Sequence, residues 1–352
     1  MGHAAQVTSD TVPRRAGSGN AIVRRIASLR ASVRIRPIVG AAIATGIAAI
    51  AVLVIARITG ADAVGKAFKD FDPVWIGLIA GAELLAYPAY VLAYGTLANM
   101  RGRSVALPLV ARVVVAGFGP FAVGGGFGID RQFLQAIDQD ERSARVTVVA
   151  LGTLEWAVLA PTTCVVAIVF IATEANILPS LLWPWAIGVP VGFALALWLS
   201  EPRRVERFSW LRRGRRRRLI AHTLEGVSVM HELGRSPLRY GGAWLGTALY
   251  WAADIGAFYG GLRTFGLDPI AGKVILAYAT GYAATRRSLP LGGAGVTEFL
   301  MTYSLYWVRE PLAPALAAVV AYRIFNFVLA ATPALIAHRQ LRPVMSGSAG
   351  RG

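Results

Sequence analysis

The chain has 352 residues, a formal net charge of +17 and 55% hydrophobic residues, with a mean hydropathy of +0.54. The apolar residues are gathered into long runs, which excludes an ordinary soluble globular chain. The basic charge lies between those runs, which argues against a nucleic-acid partner, and one cysteine, Cys164, excludes a disulfide framework within the chain.

In chain order, residues 1–36 read as a polar, arginine-rich leader: residues 1–20 offer little to bury, and 24–36 form a basic stretch suited to anionic lipid. The first apolar run, Pro37 to Ile58, is free of ionisable residues until Arg57 and is long enough for one membrane span. Further full-length runs fall near Trp75–Leu97, Val146–Ala172, Ile177–Leu199, Tyr240–Leu262 and Leu312–Ala337. Two more, near Leu107–Phe121 and Val274–Val308, are interrupted by glycine and arginine. Residues 339–352 form a tail, so that 37–338 is one membrane domain with a basic loop at 201–238. Leu219–Leu233 within that loop reads as an amphipathic surface helix, with Ile220, Leu224, Val227 and Val229 on its apolar side.

Arginine and lysine accumulate in cytoplasmic loops. The leader, the cluster around Arg212–Arg218 and the tail are therefore all placed in the cytoplasm of a cell-membrane protein. Eight full crossings would put the central cluster outside. The conflict disappears if 105–143 enters and leaves from the cytoplasm and 271–308 enters and leaves from outside. The predicted fold is an all-α integral membrane protein with six full transmembrane helices and two oppositely oriented re-entrant hairpins. Eight ordinary spans with weak charge bias are the alternative.

The two interrupted segments resemble each other. One contains Gly124-Gly125-Gly126-Phe127-Gly128-Ile129-Asp130-Arg131; the other contains Pro290-Leu291-Gly292-Gly293-Ala294-Gly295-Val296-Thr297-Glu298. Gly125, Gly126, Gly128, Asp130 and Arg131 match Gly292, Gly293, Gly295, Thr297 and Glu298. Downstream in apolar runs lie Glu155 and Arg323, so the charges of the two halves are exchanged. Similar elements entering from opposite faces mark an inverted-repeat transporter. The glycines allow sharp turns, and Asp130 and Thr297 are of types that cap helix N-termini. A half-helix N-terminus at each tip would attract an anion, phosphate above all. The alternative is that the glycines serve helix packing.

Ionisable residues at membrane depth are costly and usually functional; here they are Glu83, Arg112, Glu155, Asp254, Arg286, Arg287 and Arg323, with Arg131 and Glu298 at the tips. Arg131, Glu155, Glu298 and Arg323 are expected to form one compensated cluster, and Glu83 and Asp254 to pair with Arg112 or Arg286. Asp138-Gln139-Asp140 resembles an acidic metal motif, but the tripeptide is common by chance and a solvated loop is the better reading. The four histidines do not cluster as metal ligands, and no catalytic signature is present. The chain is read as a non-enzyme without cofactor.

The tips resemble the transmembrane, flippase-type domain of lysylphosphatidylglycerol synthases and its free-standing relatives. The stretch Gly124–Arg131 is similar to the family's first turn, and Leu289 to Glu298 to its Pro-Gly-Gly-Leu-Gly-x-x-Glu signature. Tyr322-Arg323 matches a Tyr-Arg in the last span, and Glu155 matches the glutamate of a Glu-Arg pair whose arginine is Trp156 here. The agreement covers roughly residues 40–340. Asp130 and Arg131 are closer together than in the family, and the soluble aminoacyl-transferase domain has no counterpart. The resemblance implies translocation of a polar, anionic or phosphate-bearing membrane lipid by Arg112, the tip glycines and the tip charges. Possible partners are a second copy or a lipid-modifying enzyme. A small-solute or ion transporter, a membrane-embedded enzyme and an accessory subunit for lipid-linked glycosylation are the competing readings.

Overall fold

The computed structural model describes residues 37–100, 105–120, 126–137, 140–173, 175–201, 203–204, 215–283, 285 and 289–347. Among them the only regular structure is helical. Helix α1 (Pro37–Thr59) and a short α2 (Ala61–Ala67) lead into α3 (Val74–Ala98). Two short helices follow, α4 (Leu107–Gly117) and α5 (Gly126–Ala136), then a long α6 (Glu141–Ala172). Helix α7 (Pro179–Leu199) contains a π-helical turn at Pro184–Gly188. After α8 (Arg215–Arg235) and α9 (Gly241–Thr264) comes a second pair of short helices. Of these α10 (Ala271–Tyr278) continues as a π-helical turn, Ala279–Ala283, and α11 spans Val296–Trp307. The last helix, α12, runs through Leu312–Arg323, a π-helical stretch Ile324–Leu329, and Ala330–Gly347.

Five helices are long and apolar enough to cross a bilayer: α1, α3, α6, α7 and α12 over Leu312–Met345. They coincide with five of the six predicted spans, and the chain is a multi-pass membrane protein. Helix α9 has the length, 24 residues, but is not in that apolar set. Its composition follows from its position: Ala243, Gly246, Thr247, Tyr250, Ala253, Asp254 and Ala257 are all buried, so little of it meets lipid. It packs most extensively against α3. A Cβ at Gly246 would lie 2.6 Å from both the carbonyl oxygen of Ala89 and the amide nitrogen of Ala93. One at Gly242 would lie 2.6 Å from the Thr96 hydroxyl. Small residues four apart thus bring the two backbones together.

The order long helix, short helix, turn, short helix, long helix occurs twice, as α3–α6 and as α9–α12. The short helices pair as hairpins: α4 packs on α5, and α10 on α11. Their arms have 11, 11, 8 plus 5, and 12 residues, about 16–20 Å at 1.5 Å per residue. A hydrocarbon core is about 30 Å thick, so each arm reaches little more than halfway. The first hairpin packs on the Ala330–Gly347 part of α12, and α11 packs on Leu312–Arg323 and on α1.

Helix α8 departs from the surface helix expected of Leu219–Leu233. It packs along α6 so closely that a Cβ at Gly226 would fall 2.4 Å from Val149. The buried side is Ala221, Met230 and Leu233, while Ile220 is exposed. Asp140 caps α6, its carboxylate accepting from the Ser143 amide at 2.7 Å. That bond holds its pKa below the usual carboxylate value and gives Asp140 a capping job; Asp138 and Gln139 lie outside the described residues.

Candidate functional site

The second tip is a turn that few sequences could adopt. Leu291, Gly292, Gly293 and Gly295 have φ values of 55°, 62°, 71° and 82°, in the left-handed region that costs an L side chain about 1–2 kcal/mol per residue. Three glycines relieve most of that cost. The space is closed as well as the torsion. A Cβ at Gly293 would lie 2.5 Å from the Thr297 hydroxyl, and one at Gly295 3.0 Å from Ile47 of α1. One at Gly292 would lie 3.0 Å from the Phe327 ring and 3.6 Å from Cα of Pro120. Pro120 ends the first arm of the other hairpin, so the two hairpins meet at this point.

The turn delivers Glu298 and Arg323 to each other. Arg323 Nε donates to Glu298 Oε1 at 2.6 Å, and Glu298 Oε2 accepts from the Gly295 amide at 2.6 Å. Arg323 also donates to Asn326 Oδ1 at 3.2 Å and to the Gly292 carbonyl at 3.4 Å. Its guanidinium carbon stands 4.2 Å from the centre of the Phe327 ring. Both charges are buried, where an ion pair persists only when hydrogen bonds complete it. The α11 N-terminus is therefore capped by Glu298 acting on Gly295. Thr297, expected as the cap, is the second helical residue and donates to Thr285 Oγ1 at 2.8 Å.

The first tip is not a copy of this arrangement. Helix α5 already begins at Gly126, which aligns with Gly293, whereas α11 begins three residues after Gly293. Asp130 is thus inside a helix rather than at its cap, and it is buried. Gly128, the match of Gly295, has nothing within 4 Å of a built Cβ. Arg131 is half-buried, and among the described residues no carboxylate lies within 4 Å of it. Glu155 instead accepts from the Tyr90 hydroxyl, and its backbone carbonyl accepts from Trp251 Nε1 at 2.9 Å. The expected four-charge cluster therefore reduces to one ion pair. Arg112 is exposed on α4, and Gly125, Arg286 and Arg287 lie outside the described residues. Trp156, where the resemblance led one to look for arginine, stacks on Trp185 with ring centres 6.3 Å apart.

A tyrosine-rich centre joins these parts. Asp254, expected to pair with Arg112 or Arg286, takes the hydroxyls of Tyr250 and Tyr278 on Oδ2 and that of Tyr322 on Oδ1. Tyr282 donates to Asn326 Oδ1 at 2.6 Å, which leads back to Arg323. Rings of Phe118, Tyr90, Tyr250, Trp251, Tyr278, Tyr282 and Tyr322 follow one another at centre distances of 4.9–5.9 Å. Tyrosine in an apolar run reads as one more hydrophobe. The usable signal was that Tyr250 and Asp254 are four apart, on one helix face. Beside the second tip a groove of about 380 Å³ runs between α1 and α11, lined by Ala51, Val54, Ile55, Ile58, Gly295, Val296, Phe299 and Leu300.

The family model described as the lysylphosphatidylglycerol synthase TM region matches residues 38–334. No curated protein matches the chain.

Proposed function

The chain belongs to the family of the lysylphosphatidylglycerol synthase TM region, and from that premise we propose that it translocates a polar, phosphate-bearing lipid between leaflets. The observation that carries the reading is the buried Arg323–Glu298 pair on a strained glycine turn, beside a groove walled by apolar residues. A lipid needs both surfaces: an apolar path for its tails and a polar exchange site for its head. The groove ends at Gly295, whose amide holds Glu298. A phosphate reaching that point can take the Arg323 guanidinium from Glu298, since a planar fork binds carboxylate and phosphate in the same geometry. Glu298 is then left to a proton or to a cationic part of the headgroup. No bond of the lipid is broken, so the reading is transport without catalysis.

The same reading places six full spans in the bilayer, α9 being the sixth, with the hairpins re-entrant from opposite faces. Their arms of about 16–20 Å and the approach of Pro120 to Gly292 support it. The basic termini and central loop are placed in the cytoplasm and the protein in the cell membrane.

The test is leaflet exchange of a fluorescently labelled phospholipid in proteoliposomes. Arg323→Lys keeps the charge and loses the fork; exchange is expected to fall by about tenfold or more, the equivalent of roughly 1.4 kcal/mol or more lost at the rate-limiting step. Glu298→Gln keeps the shape and loses the charge that holds Arg323, and is expected to change the exchange rate. Parental rates in both variants would remove this pair from the transport route.

A further inference from the structure

Helices α6 and α7 enclose a cavity of about 690 Å³ that shares no lining residue with the α1–α11 groove. It runs along α6 from Val149 to Ala160 and along α7 from Trp185 to Leu197, about 17–18 Å at 1.5 Å per residue. That is close to one leaflet of a hydrocarbon core about 30 Å thick. Both ends are closed. At the deep end Trp156 and Trp185 stack between the helices, and α6 meets the π-helical turn Pro184–Gly188. At the other end Met230 and Gly234 of α8 form the wall, and Ser200 Oγ and His231 Nε2, 3.3 Å apart, join α7 to α8. Gly188, Gly192 and Leu197 on the lining are exposed, so the slot opens sideways to the bilayer.

Inside, the slot offers hydrocarbon. The Thr153 hydroxyl is engaged by the Val149 carbonyl at 2.8 Å, and Trp185 Nε1 by Thr280 Oγ1 at 3.0 Å. A Cβ at Gly188 or Gly192 would have nothing within 4 Å. Small residues four apart on a membrane helix let a second helix close in, as they do between α3 and α9. A spanning partner helix, however, needs a face about 30 Å long, and this one is walled off at little more than half that. Acyl chains of a single leaflet fit the length.

Charge selects the lipid. The slot ends on the side of residues 201–240, which hold eleven arginines against four glutamates. Two of these arginines adjoin the lining. Arg204 donates to the carbonyl of Trp198, next to Leu197, at 3.1 Å, stands 4.2 Å over its ring and pairs with Glu201 at 3.0 Å. Arg235 follows Gly234 and is exposed. Arginines at the end of an apolar slot between membrane helices suit an anionic headgroup.

We propose that the α6–α7 slot holds one anionic phospholipid of the leaflet on the arginine-rich side. Its chains lie between the helices and its phosphate meets Arg204 and Arg235. This lipid is a resident of the protein, and nothing in its binding requires that it cross the bilayer.

The experiment uses the full chain in phosphatidylcholine vesicles containing phosphatidylglycerol with a photoactivatable diazirine in one chain. After illumination, labelled peptides are mapped by mass spectrometry. Label is expected on Val149–Ala160 and Trp185–Leu197, displaced severalfold better by added phosphatidylglycerol than by phosphatidylcholine of the same chains. Gly192→Phe fills the slot where a side chain meets nothing, and is expected to lose this label and leave the rest of the pattern unchanged. Gly188→Leu fills it from the deep end and carries the test if Gly192→Phe does not fold. Arg204→Gln and Arg235→Gln are expected to keep the label and to lower the preference for phosphatidylglycerol by about fivefold each. Label spread evenly over the lipid-facing helices, equal displacement by both lipids, or full slot label in Gly192→Phe and Gly188→Leu would overturn the proposal. So would a slot without label in which Gly192→Cys, in a Cys164→Ala background, forms a disulfide-linked dimer, which would assign the slot to a second copy of the chain.

Discussion

Gly128 and Gly295 hold matching places in the two glycine motifs, and their surroundings differ in kind. Gly295 has a φ of 82° and Ile47 within 3.0 Å of a built Cβ; Gly128 is inside a helix with nothing within 4 Å. Gly128→Ala is therefore expected to stabilise by up to about 0.5–1 kcal/mol, as alanine does in a helix interior. Gly293→Ala is expected to destabilise by roughly 2–3 kcal/mol, from the left-handed torsion and the broken Thr297–Thr285 bond. Denaturant titration of the detergent-solubilised protein measures both. Glycine spacing made the second turn legible, because four small or permissive residues beside a proline have few other uses. The same spacing could not say that the first motif folds into helix. That depends on where α5 starts, which its own residues leave open. The Glu298–Arg323 pair was legible from the exchanged charges; the Asp254 phenols were not, since no residue type distinguishes a donating tyrosine from a packed one.

Between elements, the contact that decides the architecture is α3 against α9. A Cβ at Gly246 would fall 2.6 Å from backbone atoms of Ala89 and Ala93, and backbone cannot give as a flexible side chain does. A Cβ at Gly256, on the same helix, would have nothing within 4 Å. Gly246→Ala is expected to push the helices apart and cut the yield of monodisperse protein severalfold, while Gly256→Ala leaves it near the parent's. Size-exclusion profiles of the two variants decide it; equal profiles would mean that the seam tolerates separation. All six apolar runs, that of α9 included, were evident in the sequence, and five of them are apolar enough to cross a bilayer, α7 facing outward most of all. The seam itself was hidden, because Gly242, Gly246, Asp254 and the buried tyrosines give no sign in the sequence of which helix they pack against.

At the scale of the molecule, one plan occurs twice, and the last helix of the second copy touches both hairpins. The charge rule turns this into an orientation. Single cysteines at Ala61, Gly214 and Gly347 in a Cys164→Ala background, probed in intact cells with an impermeant thiol reagent, are expected to react at Ala61 alone. Labelling at Gly214 without Ala61 would reverse the scheme. What composition could not convey is that the two halves diverged in chemistry. The second keeps an ion pair on a strained turn, and the first keeps a glutamate bound to Tyr90.

Helix α9 also bears on how the protein is made. A segment with Asp254 near its middle and six glycines along its length partitions weakly into lipid, an aspartate at a helix centre alone opposing insertion by about 2.5–3.5 kcal/mol. Its retention in the bilayer draws on a partner already there: α3, synthesised earlier, offers Ala89 and Ala93 as a berth of matching shape. Membrane integration of the second half is thus expected to depend on the first, and a chain lacking α3 is expected to leave α9 poorly inserted.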